Sequence, residues 1–244
     1  FTTNATPEVI LKLFPDSFYD NKFGTVGIKI KDPDDIYEIT PFRKEGTYSD
    51  HRHPDEIVWG KTIEEDLSRR DFTVNAIAFD GKTIVDPYNG QKDIEEKLIR
   101  AVGSPTDRFN EDALRMMRAV RIGAQLGFMI DPATADAIKL NTSSLTTIST
   151  ERIHDELMKL MNSTYPADGV LLMRNTGILK IILPELDACF EVGQKSPKRH
   201  HIYDVGTHSV MALKFCPSPD PVVRFATLLH DIGKPKTFHQ DESG

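Results

Sequence analysis

The chain has 244 residues, 39% of them hydrophobic and 27% charged, a composition that suits a globular protein of one large domain or several small ones. No run is apolar enough to cross a membrane, no secretory signal is visible, and two cysteines exclude a disulfide framework, so a cytoplasmic protein is expected. Because the formal net charge is −7, any surface that binds nucleic acid must be a local basic patch.

The first ninety residues have the pattern of a small mixed α/β unit. A helix is predicted from Pro7 onward, because proline is favoured at the first helical position. Gly24–Ile30 and Ile36–Thr40 are predicted to be two strands joined by a proline-containing turn. Asn75–Phe79 and Thr83–Asp86 are predicted to form a second pair around an Asp-Gly turn.

After Gln91 the apolar residues change to helical spacing. A polar, basic linker at residues 193–199 separates two helical regions. Helices are predicted in five segments: Lys92–Ile99, Asn110–Leu126, Pro132–Asn141, Glu151–Met161 and Val222–Leu229.

Two stretches about forty residues apart carry most of the functional information. The first is Arg69–Ala76, with the sequence RRDFTVNA, and the second is Glu111–Arg121, with the sequence EDALRMMRAVR. An isolated Asp-x-x-Arg would be interpreted as a surface ion pair worth about 0.3–0.5 kcal/mol. Three arginines at one interval, following the first stretch, favour a functional site instead.

The second stretch can select a nucleotide base. On one continuous helix, Asp112 and Arg115 would lie on adjoining turns of one face. Arg118 and Arg121 would support that pair or bind a triphosphate. A carboxylate beside a guanidinium matches the exocyclic amine and acceptor ring nitrogen that cytosine and adenine share. Uracil and guanine present the reverse order, and mispaired buried polar groups cost roughly 1–3 kcal/mol each, so C and A would be preferred.

These motifs resemble the head and neck signatures of the tRNA nucleotidyltransferase (CCA-adding enzyme) and bacterial poly(A) polymerase family. The resemblance runs from Phe1 to about Pro184 and includes Glu38–Arg43 and the pair Glu151-Arg152. It implies an α+β protein with a polymerase-beta-like head, built on a mixed sheet, followed by an all-helical neck and body. The predicted boundaries are 1–90 for the head, 91–162 for the neck and 163–194 for the body.

The resemblance also implies an activity, which is the template-independent addition of C and A, from CTP and ATP, to tRNA 3′ ends. It implies no membrane or DNA partner. Poly(A) polymerases and enzymes that add only A or only CC share the motifs, so these alternatives remain open. The family's two magnesium ions are held by an Asp-x-Asp pair that would lie immediately before Phe1, so the head is expected to be incomplete at its N-terminus. Asp32-Pro33-Asp34 is interpreted as a turn.

Candidate roles in the head follow from the resemblance and from side-chain chemistry. Arg69 is predicted to be a catalytic residue that binds the phosphate or sugar of the nucleotide. Glu38 is either an additional carboxylate near the metals or a cross-strand glutamate. Arg70 and Asp71 are predicted to form an internal ion pair, and Asn75 to bridge backbone groups.

The C-terminal end carries a second signature. His208, together with His230-Asp231-Ile232-Gly233-Lys234, resembles the start of an HD phosphohydrolase domain, predicted for residues 195–244. Imidazoles and a carboxylate suit a divalent metal that activates water, so His208, His230 and Asp231 are predicted metal ligands. A complete site of this type needs a further aspartate downstream. Two alternatives therefore remain: an HD-type phosphohydrolase with a nucleotide-binding head, and a chain that only binds nucleotides.

Overall fold

The computed structural model describes residues 1–19, 24–29, 36–44, 58–193 and 203–237. The chain divides into two compact units, Phe1–Lys92 and Asp93–Gly244. The first contains a mixed sheet and the second is mainly helical, so the predicted α+β class is confirmed. The finer division of the second unit stays a prediction. Within the described part of the chain, no helix has the length and hydropathy needed to span a bilayer.

A four-stranded sheet forms the centre of the first unit, with the order β1-β4-β3-β2. β1 runs parallel to β4, whereas β3 is antiparallel to both β4 and β2. The two predicted strands of this sheet are therefore confirmed, and the turn predicted between them lies outside the described residues. The strands are β1 (Thr2–Thr3), β2 (Ser17–Tyr19), β3 (Val26–Lys29) and β4 (Ile36–Pro41).

Apolar residues from the sheet and one helix form a small core. Helix α1 (Pro7–Leu13) begins at the predicted proline and buries Ile10 against Val26 and Ile28 of β3. β3 therefore has its middle residues buried, as an inner strand requires. This packing fixes the position of β4, the strand that carries Glu38.

The described residues from Arg43 to Lys97 form short elements, and their structure corrects two predictions. Asn75 belongs to a 3-10 turn and not to a strand, because the Asp71 carboxylate accepts hydrogen bonds from the Phe72 amide and the Asn75 side chain and closes the turn. The predicted helix Lys92–Ile99 ends early, because Lys97 has a φ of 56°. The elements are β5 (Arg43–Lys44), β6 (Val58–Trp59), α2 (Ile63–Ser68), the turn Thr73–Asn75, β7 (Ala78–Phe79), β8 (Ile84–Val85) and α3 (Gly90–Glu95).

The second unit is built around helix α5 (Leu114–Leu126). Its residues Met116, Ala119 and Val120 are fully buried, and the helix packs against α7 and α8. The helices predicted near residues 132–141, 151–161 and 222–229 are confirmed. The elements are β9 (Leu98–Ile99), α4 (Pro105–Glu111), α5, β10 (Met129–Ile130), α6 (Pro132–Asn141), the 3-10 turn Thr142–Thr147, α7 (Thr150–Met161), α8 (Pro166–Thr176), α9 (Ile178–Ile182), α10 (Pro184–Cys189), α11 (Val205–Lys214), α12 (Pro221–Leu229) and α13 (Lys234–Thr237).

Helices α11 and α12 pack on α8 and α7, respectively. The guanidinium of Arg224, on α12, donates hydrogen bonds to the carbonyl oxygens of Met161 (2.8 Å) and Ser163 (3.1 Å) at the end of α7. It also donates to the carbonyl of Ser218, which precedes α12. These bonds satisfy carbonyl groups that the end of a helix otherwise leaves unpaired.

Candidate functional site

A cavity of about 420 Å³ opens in the first unit beside β4. Glu38 lies exposed on this strand and lines the cavity together with Arg70 and Asn75. The cavity thus presents a carboxylate and a guanidinium to the same space, an arrangement able to hold a metal-bound or phosphorylated ligand. Its lining consists of Phe1, Thr2, Glu38, Thr40, Leu67, Arg70, Asn75, Ile77, Ala78 and Phe79.

One buried carboxylate holds the two neighbouring arginines of this unit. Asp66, on α2, has a side chain that is 0% exposed. Its Oδ1 accepts hydrogen bonds from Arg69 Nε (2.9 Å) and Nη2 (2.5 Å), and its Oδ2 accepts one from Arg70 Nη2 (2.7 Å). Burial raises the pKa of the Asp66 carboxyl, but the two arginines lower it by more, so its pKa lies below the ordinary value.

The predicted Arg70–Asp71 ion pair is therefore wrong. The carboxylate that pairs with Arg70 belongs to Asp66, four residues earlier and one helical turn away. Of the described residues, those lining the cavity include Arg70 but not Arg69, which is 16% exposed and binds Asp66 through two nitrogens. The role of Arg69 in binding the nucleotide remains a prediction, and Arg70 is the arginine that faces the cavity.

The stretch predicted to select the base, in the second unit, is not one continuous helix. Asp112 is the C-cap of α4, with φ −147° and ψ 105°, and α5 begins two residues later. The Asp112 carboxylate accepts a hydrogen bond from the Leu114 amide (3.0 Å), which ends the first helix and starts the second. The prediction that Asp112 and Arg115 lie on adjoining turns of one helix is thus wrong, although both residues lie at the junction.

Each residue of the proposed base-reading pair has an ion-pair partner. Asp112 accepts a hydrogen bond from Arg152 Nη2 of α7 at 2.7 Å. Arg115 Nη1 lies 2.5 Å from Glu111 Oε2, and Arg108 contacts the other oxygen of the same carboxylate. All five side chains are between 11% and 23% exposed, so their charges are partly desolvated and their positions are restricted.

Arg118 and Arg121 follow Arg115 at intervals of three residues along α5, as predicted. Arg118 lies half-buried one turn beyond Arg115. Arg121 donates from Nε to the buried Glu156 carboxylate of α7 (2.7 Å) and from Nη1 to Gln125 (2.7 Å). Because its donors bind two protein groups, Arg121 joins α5 to α7, and we expect its main effect to be on stability.

The three predicted metal ligands are brought together in the second unit. The Nε2 atoms of His208 and His230 lie 3.2 Å apart, and Asp231 Oδ2 lies 3.7 Å and 3.3 Å from them. Nδ1 of His230 donates a hydrogen bond to the Thr227 carbonyl oxygen, so its Nε2 keeps a lone pair for a cation while the ring is neutral. Lys234 Nζ contacts the same Asp231 oxygen at 2.7 Å.

The charge of Asp231 is maintained by its neighbours. Burial raises the pKa of the Asp231 carboxyl. The hydrogen bond from Lys234 and the charges of His230, Lys234 and His208 lower it by more, so its pKa lies below the ordinary value. An ionised carboxylate beside two imidazoles is a donor set that suits a divalent transition metal.

Comparison with known proteins identifies the family to which these units are similar. Residues 1–100 match the family model described as the poly A polymerase head domain. Residues 127–190 match the model described as "Probable RNA and SrmB- binding site of polymerase A". The CCA-adding enzyme of Geobacillus kaustophilus is 45% identical over 188 residues, which cover 76% of this chain and 46% of that enzyme. The CCA-adding enzyme of Ligilactobacillus salivarius is 45% identical over 180 residues, which cover 73% of this chain and 44% of that enzyme.

A solved structure has a similar fold along nearly the whole chain. The crystal structure of the Bacillus stearothermophilus CCA-adding enzyme in complex with CTP matches with a TM-score of 0.66 and 29% identity, covering 98% of this chain and 69% of that one. This chain therefore belongs to the CCA-adding enzyme and poly(A) polymerase family. It spans about half the length of the curated relatives that it matches.

Proposed function

We propose that this chain is part of a template-independent nucleotidyltransferase that adds C, C and A to tRNA 3′ ends. The observation that carries the proposal is the α4–α5 junction, where Asp112 and Arg115 are each held by an oppositely charged partner. A carboxylate and a guanidinium in fixed positions can recognise the edge of a base without a nucleic-acid template. The 45% identity with CCA-adding enzymes supports the same activity.

Base selection follows from hydrogen-bond polarity. The Asp112 carboxylate accepts from the exocyclic amine of cytosine or adenine, and Arg115 donates to the neighbouring ring nitrogen. Uracil and guanine would place a carbonyl oxygen against the carboxylate and an N–H against the guanidinium. Because both protein groups are partly desolvated, each such mismatch costs roughly 1–3 kcal/mol. This chemistry is compatible with both CTP and ATP, and incorporation of both nucleotides would exclude A-only addition.

We propose a division of roles within the chain. Residues 1–90 form the head that binds the triphosphate, residues 91–162 form the neck that reads the base, and residues 163–194 form the body. A basic surface that contacts RNA would be local, because the net charge of −7 leaves no general excess of positive charge. The arginines of α5 do not form such a surface, since Arg115 and Arg121 are largely buried and paired with Glu111 and Glu156. The other basic segment noted in the sequence, Lys195–Arg199, lies outside the described residues.

Nucleotidyl transfer in this family depends on a divalent cation, and we propose Mg²⁺. The carboxylate available at the head cavity is Glu38, and an oxygen ligand of this kind suits magnesium. Among the described residues, no cluster of three or more potential ligand side chains occurs in the head. Glu38 would therefore supplement the Asp-x-Asp ligands that the resemblance implies. When bound, the cation neutralises charge on the triphosphate.

The activity can be tested with the full-length gene product that contains these residues. It would be incubated with Mg²⁺, a tRNA lacking its 3′ CCA, and each nucleoside triphosphate alone or CTP with ATP. We expect the RNA mass to increase by two cytidylates and one adenylate, with UTP and GTP rejected. A long adenylate tail would instead indicate a poly(A) polymerase, and an unchanged RNA mass would contradict nucleotide transfer altogether.

A second candidate activity is favoured by the geometry of His208, His230 and Asp231. We propose that these side chains bind a divalent metal in an HD-type phosphohydrolase site within residues 195–244. His230→Ala is expected to weaken Mn²⁺ binding, measured by calorimetry, by at least about tenfold, because one of three described ligands is lost. Arg115→Ala should leave the Mn²⁺ affinity unchanged. Equal affinity in the His230→Ala variant and the unchanged protein would contradict the site.

A further inference from the structure

The buried carboxylate of Asp66 pairs with two adjacent arginines, Arg69 and Arg70. Arg69 and Arg70 bring two positive charges to one short turn, and their long side chains would repel each other and sample many rotamers. The Asp66 carboxylate, which lies between them, offsets one of the two charges and uses a different oxygen for each arginine. Its Oδ1 also accepts a hydrogen bond from the Arg43 amide (3.2 Å), which ties the carboxylate to β5. The carboxylate thus determines where both guanidiniums lie.

The guanidinium of Arg70 retains the capacity to bind a ligand. It lines the same head cavity as Glu38, and its side chain is 37% exposed. Nη2 binds Asp66 and Nε is buried, so Nη1 is the guanidinium nitrogen that can donate to a ligand. Guanidinium donors beside a cavity suit the oxygens of a phosphate group or a ribose.

We propose that Asp66 is a positioning residue for nucleotide binding, which holds Arg70 at the orientation that contacts the phosphate or sugar of CTP and ATP. This inference rests on the proposed function and names a residue that acts through Arg70 without touching the nucleotide. Because both nucleotides share the triphosphate and ribose, Asp66 affects CTP and ATP alike. In this respect it differs from the base-reading residues Asp112 and Arg115.

Asp66→Asn tests the inference in the full-length gene product, because the amide keeps the size of the side chain but removes its charge and turns one acceptor into a donor. We expect the KM for CTP and for ATP to rise by about 10- to 100-fold, with kcat changed by less than about threefold. Asp66→Glu restores the carboxylate and is expected to recover part of the loss. The matched control is Asp131→Asn, which removes another buried carboxylate that pairs with an arginine, Arg100, and should leave both KM values unchanged.

A double-mutant cycle with Arg70→Lys separates positioning from general destabilisation. If Asp66 acts through Arg70, the variant that carries both changes should bind CTP no more than about twofold more weakly than Arg70→Lys alone. CTP affinity is measured by calorimetry in parallel with transfer. If the unchanged protein binds CTP but transfers no nucleotide, the proposed function fails. The CTP affinities of the variants would still show whether Asp66 positions Arg70. Wild-type CTP affinity in Asp66→Asn, or additive losses in the cycle, would overturn the inference, and absent CTP binding by the unchanged protein would overturn both.

Discussion

Replacing Arg115 with alanine is expected to lower kcat/KM for CTP and ATP by about 100-fold and to remove most of the preference for these nucleotides over UTP and GTP. In the proposed function Arg115 supplies the donors that oppose the ring nitrogen of cytosine or adenine, and its partner Glu111 restricts the position of its guanidinium. After truncation, Asp112 still accepts from an exocyclic amine, so C and A would keep a small advantage. The measurement is competitive incorporation of all four nucleotides into tRNA, with the products resolved by mass.

Arg174→Ala is a suitable control for this experiment. Arg174 also lies in the second unit and is partly exposed, but it stacks on the ring of Phe190, with its guanidinium carbon 4.0 Å from the ring centroid. The control should preserve both the rate and the order of nucleotide preference. If Arg115→Ala slows addition of all four nucleotides equally, Arg115 does not read the base, and its contribution would be to the general structure of the junction.

Replacing Glu156 with alanine is expected to lower the free energy of unfolding by about 3 kcal/mol. The Glu156 side chain is 4% exposed and accepts hydrogen bonds from Arg121 Nε (2.7 Å) and Lys159 Nζ (3.2 Å). Without it, the guanidinium of Arg121, which is 13% exposed, loses its counter-charge at the contact between α5 and α7. Urea unfolding followed by circular dichroism provides the measurement.

Two further variants define the cause of that loss. Lys159→Ala removes the exposed partner of Glu156. It is expected to lower the free energy of unfolding by less than about 0.5 kcal/mol, because water screens the charge of an exposed ammonium and its ion pair contributes little to stability. The double variant Arg121→Met with Glu156→Leu should recover most of the stability, since it removes both charges and keeps side chains of similar volume. A loss below about 1 kcal/mol in Glu156→Ala would show that the pair is not needed for stability.

The sequence was sufficient to identify Asp112 and Arg115 as candidate site residues, but not to predict the break between helices α4 and α5 at which they lie. Spacing and composition identified Asp112 and Arg115, whereas a continuous helix was predicted because the apolar residues from 110 to 126 follow helical spacing. The break depends on a side-chain-to-backbone bond from Leu114 to Asp112, which competes with helical bonding and has only a weak sequence signal. Arg152, which binds Asp112 from 40 residues away, is a long-range partner that no local pattern could have assigned.

The buried position of Asp66 was missed for a related reason. Its spacing from Arg69 and Arg70 is that of helical neighbours, so the pairing could have been inferred from the sequence. Glu64 and Glu65 precede it directly, however, and three consecutive acidic residues do not reveal which one faces the core. Burial on the inner side of α2 decides this, and burial depends on the tertiary fold. His208, by contrast, meets His230 because α11 and α12 pack against each other, as the spacing of an HD signature implies.

The hydrogen bonds from Arg224 to the end of α7 limit where the chain could be divided into separately expressed fragments. Helix α12 packs on α7 and bonds to its end through Arg224, and α7 supplies Arg152 to Asp112. A protein cut in the segment after α10 would therefore lose support for the helix that orients the carboxylate at the α4–α5 junction. When the two parts are expressed separately, the first fragment should be less stable than the intact chain. Recombination that exchanges the C-terminal helices would need donor sequences that keep an arginine at position 224.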